Sequence, residues 1–161
     1  MMERIAHYKI LKELGSGAMG KVFKGVDESL NMLVAIKMLD PAIASDESNL
    51  LRFEREARAA ANLKHQHIAH VFFVGRSTDN LPFYAMEYVD GQPLQDIIDN
   101  RSIMTGRQML TIMKQCCLAL QFSSDKGVLH RDIKPGNIMI EREAGVKIVD
   151  FGIAKTTSDR D

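Results

Sequence analysis

The sequence contains no tryptophan, and only 2 cysteines and 4 prolines among its 161 residues. The cysteines, Cys116 and Cys117, are neighbours in an apolar helical stretch, where adjacent side chains diverge by about 100°. A disulfide framework is excluded, and a reducing compartment, the cytosol, is the expected setting. No sign of charge dominates either: 21 basic and 21 acidic residues cancel. A global electrostatic footprint for nucleic acid or an anionic membrane is therefore missing, so any phosphate must be held locally. There is no apolar run of about 18 residues. Met1 to Tyr8 alternates charged with apolar groups instead of forming a basic-then-apolar leader, so neither a membrane span nor a secretory signal is expected. What is there, 45% hydrophobic and 26% charged residues, is the balance of a soluble globular domain and excludes disorder, collagen and a bare coiled coil.

The first part of the chain reads as strands. Tyr8 to Leu14 alternates apolar and charged side chains, and a glycine cluster follows at Gly15, Gly17 and Gly20. Lys21 to Val26 and Leu33 to Leu39, separated by the polar break Asp27 to Asn31, predict a hairpin. From about Asp46 to Leu63 the period becomes helical, with Phe53, Ala57, Ala60 and Leu63 on one face. Ile68 to Val74 and Pro82 to Val89 are two further strand-like runs. After a hinge near Tyr88 to Gly91 the chain turns helical: a short amphipathic segment at Pro93 to Asn100, then Arg107 to Ser124 with Met109, Ile112, Met113, Cys116 and Leu120 at helical spacing. Ile138 to Ile140 and Val146 to Val149 read as a small hairpin.

The glycine loop, Leu14-Gly15-Ser16-Gly17-Ala18-Met19-Gly20-Lys21-Val22, places glycines at i, i+2 and i+5, so backbone amides could approach phosphate oxygens. A Rossmann fingerprint should open a helix, yet Val22 to Val26 continues as a strand. A P-loop needs a hydroxyl after the lysine, and Val22 has none. What remains is a glycine-rich turn between two strands, either a phosphate lid or a plain flexible hairpin.

Further along stand Val34-Ala35-Ile36-Lys37, His130-Arg131-Asp132-Ile133-Lys134-Pro135-Gly136-Asn137, and Asp150-Phe151-Gly152. In this order, behind the glycine loop, they resemble the eukaryotic-type protein kinase signature. Lys134, two residues after Asp132, and the run Arg52 to Ala57 are similar to bacterial serine/threonine kinases. The resemblance covers nearly the whole chain. It implies an α+β bilobal fold: a five-stranded antiparallel sheet with one long helix over residues 1–89, then an incomplete helical lobe over 90–161. The implied activity is transfer of the γ-phosphate of ATP, with Mg2+, to Ser or Thr hydroxyls of a protein substrate.

Phosphoryl transfer asks for a nucleotide clamped in line and its charge neutralised. The resemblance gives Lys37 the α- and β-phosphates, and this lysine ends an apolar run whose inner face it would otherwise disrupt. Its acidic partner is sought on the long helix. Glu56, three residues after Phe53 and four before Ala60, shares the apolar face, and Glu54 falls about 200° away, so Glu56 is the expected partner. Asp132 resembles the base that accepts the substrate proton, with Lys134 steadying the γ-phosphate. Asn137 and Asp150 supply hard oxygen ligands for magnesium. His130 is expected to pack beneath Phe151, and Arg131 resembles the residue that contacts a phosphorylated loop. Leu14 to Gly20 would cover the phosphates. Glu87 and Val89 would face adenine through backbone groups, with Met86 behind it and Val22, Ala35 and Met139 around the ring. His65, His67 and His70, spaced i, i+2, i+5, suit no single helix face, and no metal is assigned to them.

The sequence ends 9 residues after Gly152. The family's activation segment, its Ala-Pro-Glu motif and its remaining helices do not follow, so a deliberately shortened kinase, a partial gene and a short partner-binding protein all stay open, with the Met109–Leu120 stripe exposed for association. The rival readings are an ATP-binding regulatory fragment without phosphotransfer, an interaction module using that stripe, and a small-molecule kinase.

Overall fold

The computed structural model describes residues 3–17, 19–141 and 145–151; Ala18 and Gly152, both in the motifs above, lie outside them. The chain forms two compact units, Met1–Asn62 with His70–Tyr88, and Leu63–Ala69 with Val89–Asp161. Leu63–Ala69 thus leaves the first unit and the chain returns to it, a detour that a single division at residue 89 does not contain.

In the first unit, β1 (Arg4–Ile5), β2 (Tyr8–Gly17), β3 (Gly20–Asp27), β4 (Met32–Leu39), β5 (Val71–Arg76) and β6 (Pro82–Glu87) form one antiparallel sheet, ordered β1-β2-β3-β4-β6-β5. The sheet therefore has six strands where five were expected. The extra one, β1, is 2 residues long, too short to show an alternation. The sheet curls until its margins meet: the Tyr8 ring lies edge-on to Phe73 of β5 at 6.3 Å and to Phe83 of β6 at 6.1 Å. Inside the curl, Ile5, Tyr8, Phe23, Val34, Ile36, Met38, Phe83 and Ala85 form the core. Val34, Ile36, Phe83 and Ala85 are wholly shielded from solvent, and each of the larger three contributes about 1.5–3 kcal/mol by burial.

Between β4 and β5 stand α1 (Pro41–Ala44) and α2 (Glu47–Ala61). Asp40 caps α1 by accepting the Ala42 amide at 2.8 Å, and Asp46 caps α2 through Ser48 at 2.8 Å. Asp followed by Pro at the first helical position is a helix-start signal, and α1 is the short helix it announces. The long helix starts one residue after its expected first residue and ends before Leu63. Phe53, Ala57 and Ala60 are its buried face.

In the second unit, α3 (Leu94–Asp99) and α4 (Gly106–Asp125) accompany a three-stranded sheet of β7 (Gly91–Pro93), β8 (Ile138–Glu141) and β9 (Val146–Ile148). The expected hairpin is β8–β9. The added β7 contains both Gly and Pro and so reads as a turn in sequence. A capping box starts α4: Thr105 Oγ1 accepts the Gln108 amide, and Gln108 Oε1 accepts the Thr105 amide. Ile112, Ile138 and Val146 form one core cluster, and the Val146 amide donates to Gln115 Oε1 on α4 at 2.9 Å. The strand expected from Ile68 begins only at Val71. Ile68 and Ala69 instead run parallel to β9: the Ala69 amide donates to Ile148 O, and the Ile148 amide to His67 O, both at 2.9 Å. No helix among the described residues is long and apolar enough to cross a membrane.

Candidate active site

On the first unit, β4 is buried from Val34 to Leu39. It carries Lys37 among these apolar neighbours at 9% exposure. In the ladder Lys37 stands opposite Val22 of β3 and Tyr84 of β6, and Ala35 opposite Met86. A lysine in such a strand brings an ionic group into an apolar setting, a cost sustained only where the charge is used. On α2 the two candidate acids differ in their surroundings. Glu54, also partly buried, accepts Arg76 of β5 at 2.6 Å and lies 3.7 Å from the Arg58 guanidinium one turn on. Glu56 is half-buried, with its Oε2 closed off from solvent.

The glycine loop is the β2–β3 turn. Ser16 pairs with Lys21 and Gly17 with Gly20, and Leu14 is bulged between Glu13 and Gly15. The three glycines do not share one task. A side chain on Gly15 or Gly17 would meet nothing within 4 Å. Gly20, at φ +143°, would drive a Cβ into Met38 O and within 2.9 Å of Asp40 N. It is there for close passage over β4, where the Asp40 amide donates to Met19 O at 3.0 Å. Spacing alone cannot separate a glycine left open from one packed shut.

At the end of β6, Met86 is buried at 6% exposure. The Glu87 amide donates to His70 O at 2.8 Å, and its carboxylate accepts the His70 amide at 3.3 Å. Lys24 Nζ lies 4.0 Å over the Tyr88 ring. His70, a member of the three-histidine run, thus anchors the segment assigned to adenine, a role with no sequence signal because it uses backbone atoms. In the second unit, the Val89 carbonyl accepts Gly91 N at 3.1 Å.

The loop before β8 is built around His130 and Asp132. His130 is 4% exposed, and its Nε2 donates to Val149 O at 2.9 Å while Nδ1 accepts the Asp132 amide at 3.3 Å. These partners require a proton on Nε2 and none on Nδ1. Burial lowers the His130 pKa, outweighing its hydrogen bond to Val149 and the nearby Asp150 and Asp132 charges. Its ring lies 4.7 Å from Phe151. The ring is therefore a neutral brace between the loop and the segment leading to Asp150. Arg131 and Asp150 both adopt left-handed backbone, at φ 62° and 58°, an arrangement typical of sites where strain is held by the surroundings.

Asp132 Oδ2 receives Lys134 Nζ at 2.8 Å and Asn137 Nδ2 at 3.2 Å, and the same Nδ2 donates to Asp132 O at 2.8 Å. With both Nδ2 partners acceptors, the Asn137 amide is fixed and its Oδ1 is the oxygen turned to other uses. The Val149 amide donates to Asn137 O at 3.0 Å, joining the asparagine to the strand end that precedes Asp150. An amide oxygen and a carboxylate are hard donors, a set that fits Mg2+ completed by phosphates and water. Among the described residues no cluster of three or more His, Cys, Asp or Glu could hold a metal ion. His65 and His67 have other partners: His65 Nδ1 accepts the His67 amide, its ring lies 5.1 Å from Phe122, and His67 Nδ1 meets Val146 O. Met139 lies on β8 opposite Pro93 and Lys147.

Comparison with known proteins agrees with this geometry. The family described as protein kinase domain matches residues 8–161. Serine/threonine-protein kinase PknB of Mycobacterium tuberculosis is 41% identical over 155 residues, 94% of this chain and 25% of that protein. Serine/threonine-protein kinase pkn3 of Myxococcus xanthus is 40% identical over 158 residues, 96% of this chain and 29% of that one. The chain thus spans about a quarter of the length of these curated relatives. The crystal structure of the M. tuberculosis PknI kinase domain superposes with a TM-score of 0.84 at 32% identity, covering 96% of this chain and 62% of that one. A match of this extent, over motifs that occupy the strands and loop described above, makes the chain a member of the protein kinase domain family.

Proposed function

We propose that this chain carries the nucleotide-binding and catalytic residues of a serine/threonine protein kinase that works in the cytosol, where ATP is available. The observation that carries this reading is the shared oxygen of Asp132, held at 2.8 Å from Lys134 Nζ and 3.2 Å from Asn137 Nδ2. A carboxylate so oriented can accept the proton of a Ser or Thr hydroxyl as its oxygen attacks the γ-phosphorus and the bond to the β–γ bridging oxygen breaks. Lys134, already beside Asp132, neutralises charge on the transferring group. Lys37 would bind the α- and β-phosphates, with Glu56 orienting it. Magnesium, when bound, neutralises phosphate charge, and Asn137 Oδ1 and Asp150 are the residues that would hold it.

The glycine loop from Leu14 through Ser16, Ala18 and Met19 would close over the phosphates, with Gly15 and Gly17 leaving room for them. Adenine would meet backbone carbonyl and amide groups of Glu87 and Val89, as the family resemblance implies. Met86, Val22, Ala35 and Met139 would enclose the ring.

The test compares Mg·ATP binding, read from the thermal midpoint, with phosphotransfer to a Ser/Thr peptide. Asp132→Asn should keep the midpoint shift and lower transfer about a hundredfold to ten-thousandfold. Asp150→Asn should lose the magnesium-dependent part of the shift. A wild-type chain that binds Mg·ATP yet transfers nothing would favour the regulatory reading.

A further inference from the structure

The sheet of the first unit is crossed, on one face, by a side-chain contact that no motif includes. Along β3, Phe23, Gly25 and Asp27 are buried, and Val22, Lys24 and Val26 alternate with them as half-buried residues. Phe23 belongs to the core, and successive residues of a strand point to opposite sides, so Lys24 shares the other face with Val22. In the ladder Lys24 stands opposite Ala35 of β4, and Ala35 opposite Met86 of β6. The row thus runs from a long cation, across a single methyl group, to the strand that leads into the segment expected to meet adenine. β3 and β6 are two strand spacings apart, about 9.6 Å, and Ala35 is too short to block the way between them. Lys24 Nζ lies 4.0 Å from the centroid of the Tyr88 ring.

What this contact does follows from where the ladders stop. β6 pairs with β5 as far as Met86, opposite Val71, and with β4 as far as Glu87, opposite Val34. Tyr88 is the next residue, past both ladders. A cation within about 6 Å of an aromatic face is attracted by the ring quadrupole, so Lys24 ties the chain beyond β6 back to β3. The contact lies wholly within the first unit.

We propose that Lys24 is a positioning residue for base binding: by clasping Tyr88 it fixes the backbone on either side of that residue, and so sets the affinity for adenine without touching the nucleotide. This rests on the nucleotide reading above, in which backbone groups of Glu87 and Val89 meet the base. The experiment is calorimetric titration of the chain with Mg·ADP and with adenosine. Lys24→Met should weaken both by the same factor, about threefold to tenfold, because the base is what the two ligands share. Lys24→Arg should restore the wild-type affinity, since a guanidinium also stacks on an aromatic face. Tyr88→Leu should match Lys24→Met, and the double variant should be no weaker than either single one. A loss confined to Mg·ADP would show Lys24 acting on phosphate directly and would overturn the proposal. So would unchanged binding in Lys24→Met, no recovery in Lys24→Arg, or losses that multiply in the double variant. A wild-type chain that binds neither ligand would remove the nucleotide reading itself, and the proposal with it.

Discussion

The two units solve the same problem, holding reactive polar groups in place, by different means. The first closes a six-stranded sheet on itself around eight buried core residues, and its functional side chains stand on strands and a helix. The second also buries Leu63, Ile68, Ala119, Val146, Ile148 and Phe151, but its candidate residues Asp132, Lys134 and Asp150 stand outside its strands and helices. Rigidity there comes from hydrogen bonds: His130 to Val149 and Asp132, Asn137 to Asp132, Val149 to Asn137. α4 shows the contrast, for it buries only Ile112, Ala119 and Ser123 while Met109, Leu110, Met113 and Leu118 are exposed. A packed sheet tolerates polar substitution at its edges, whereas a loop held by a few directional bonds depends on each of them.

The sharpest way to break the first unit is Gly20→Val, which forces a branched side chain into Met38 O at a left-handed φ. It should cost at least about 3 kcal/mol, read as a lowered denaturant midpoint. Gly17→Ala in the same loop should change stability by less than about 0.5 kcal/mol; equal losses at the two sites would show that the glycines are interchangeable after all. In the second unit, Ile148→Ala empties a wholly buried position and should cost about 2–4 kcal/mol. Amide exchange should then accelerate in Val89–Asp161 and Leu63–Ala69 and stay slow in the sheet of the first unit.

Acid should separate the units as well. Burial holds His130 and His65 below their ordinary 6.5, so between that value and their folded values the unfolded chain binds more protons. Stability is full above about pH 6.5 and falls as the pH drops below it. In the first unit, Asp27 lies below 3.8, chiefly because the Ser29 hydroxyl donates to it at 2.6 Å. Its contribution persists down to about pH 4 and is lost only below. Exchange profiles at pH 7, 5.5 and 3.5 should show the second unit loosening first; His130→Asn should shrink its loss between pH 7 and 5.5. The smallest effect is expected at Glu54→Gln, which loses a partly exposed ion pair worth under about 1 kcal/mol and should spare phosphotransfer, whereas Glu56→Gln should lower it. The reverse order would place the working acid at Glu54.

Much of this was legible in the sequence, and the reasons differ by element. Alternation revealed β2, apolar runs bounded by polar breaks revealed β3, β4 and β6, and a helical period revealed α2 and α4. Shorter elements carry too few residues for a period: β1 and β7 were missed, and α1 could have been found only from the Asp40-Pro41 pair. The run at Ile68 was read as the start of a strand because its residues are apolar, but their backbone bonds go to β9, a partner about eighty residues away that no local pattern reveals. The motif side chains were legible by type and spacing. What braces them was not, because Val149 O, His70 O and Met19 O are carbonyls, which every residue has.

The excursion of Leu63–Ala69 into the second unit also bears on how the protein could be cut. Cleaving the chain between Tyr88 and Val89 would not release two self-sufficient halves. The N-terminal fragment would keep the strip that hydrogen-bonds along Ile148, so the C-terminal fragment would lack a piece of its own sheet until the two were mixed. Two polypeptides split at that bond should therefore recover a folded second unit only on recombination.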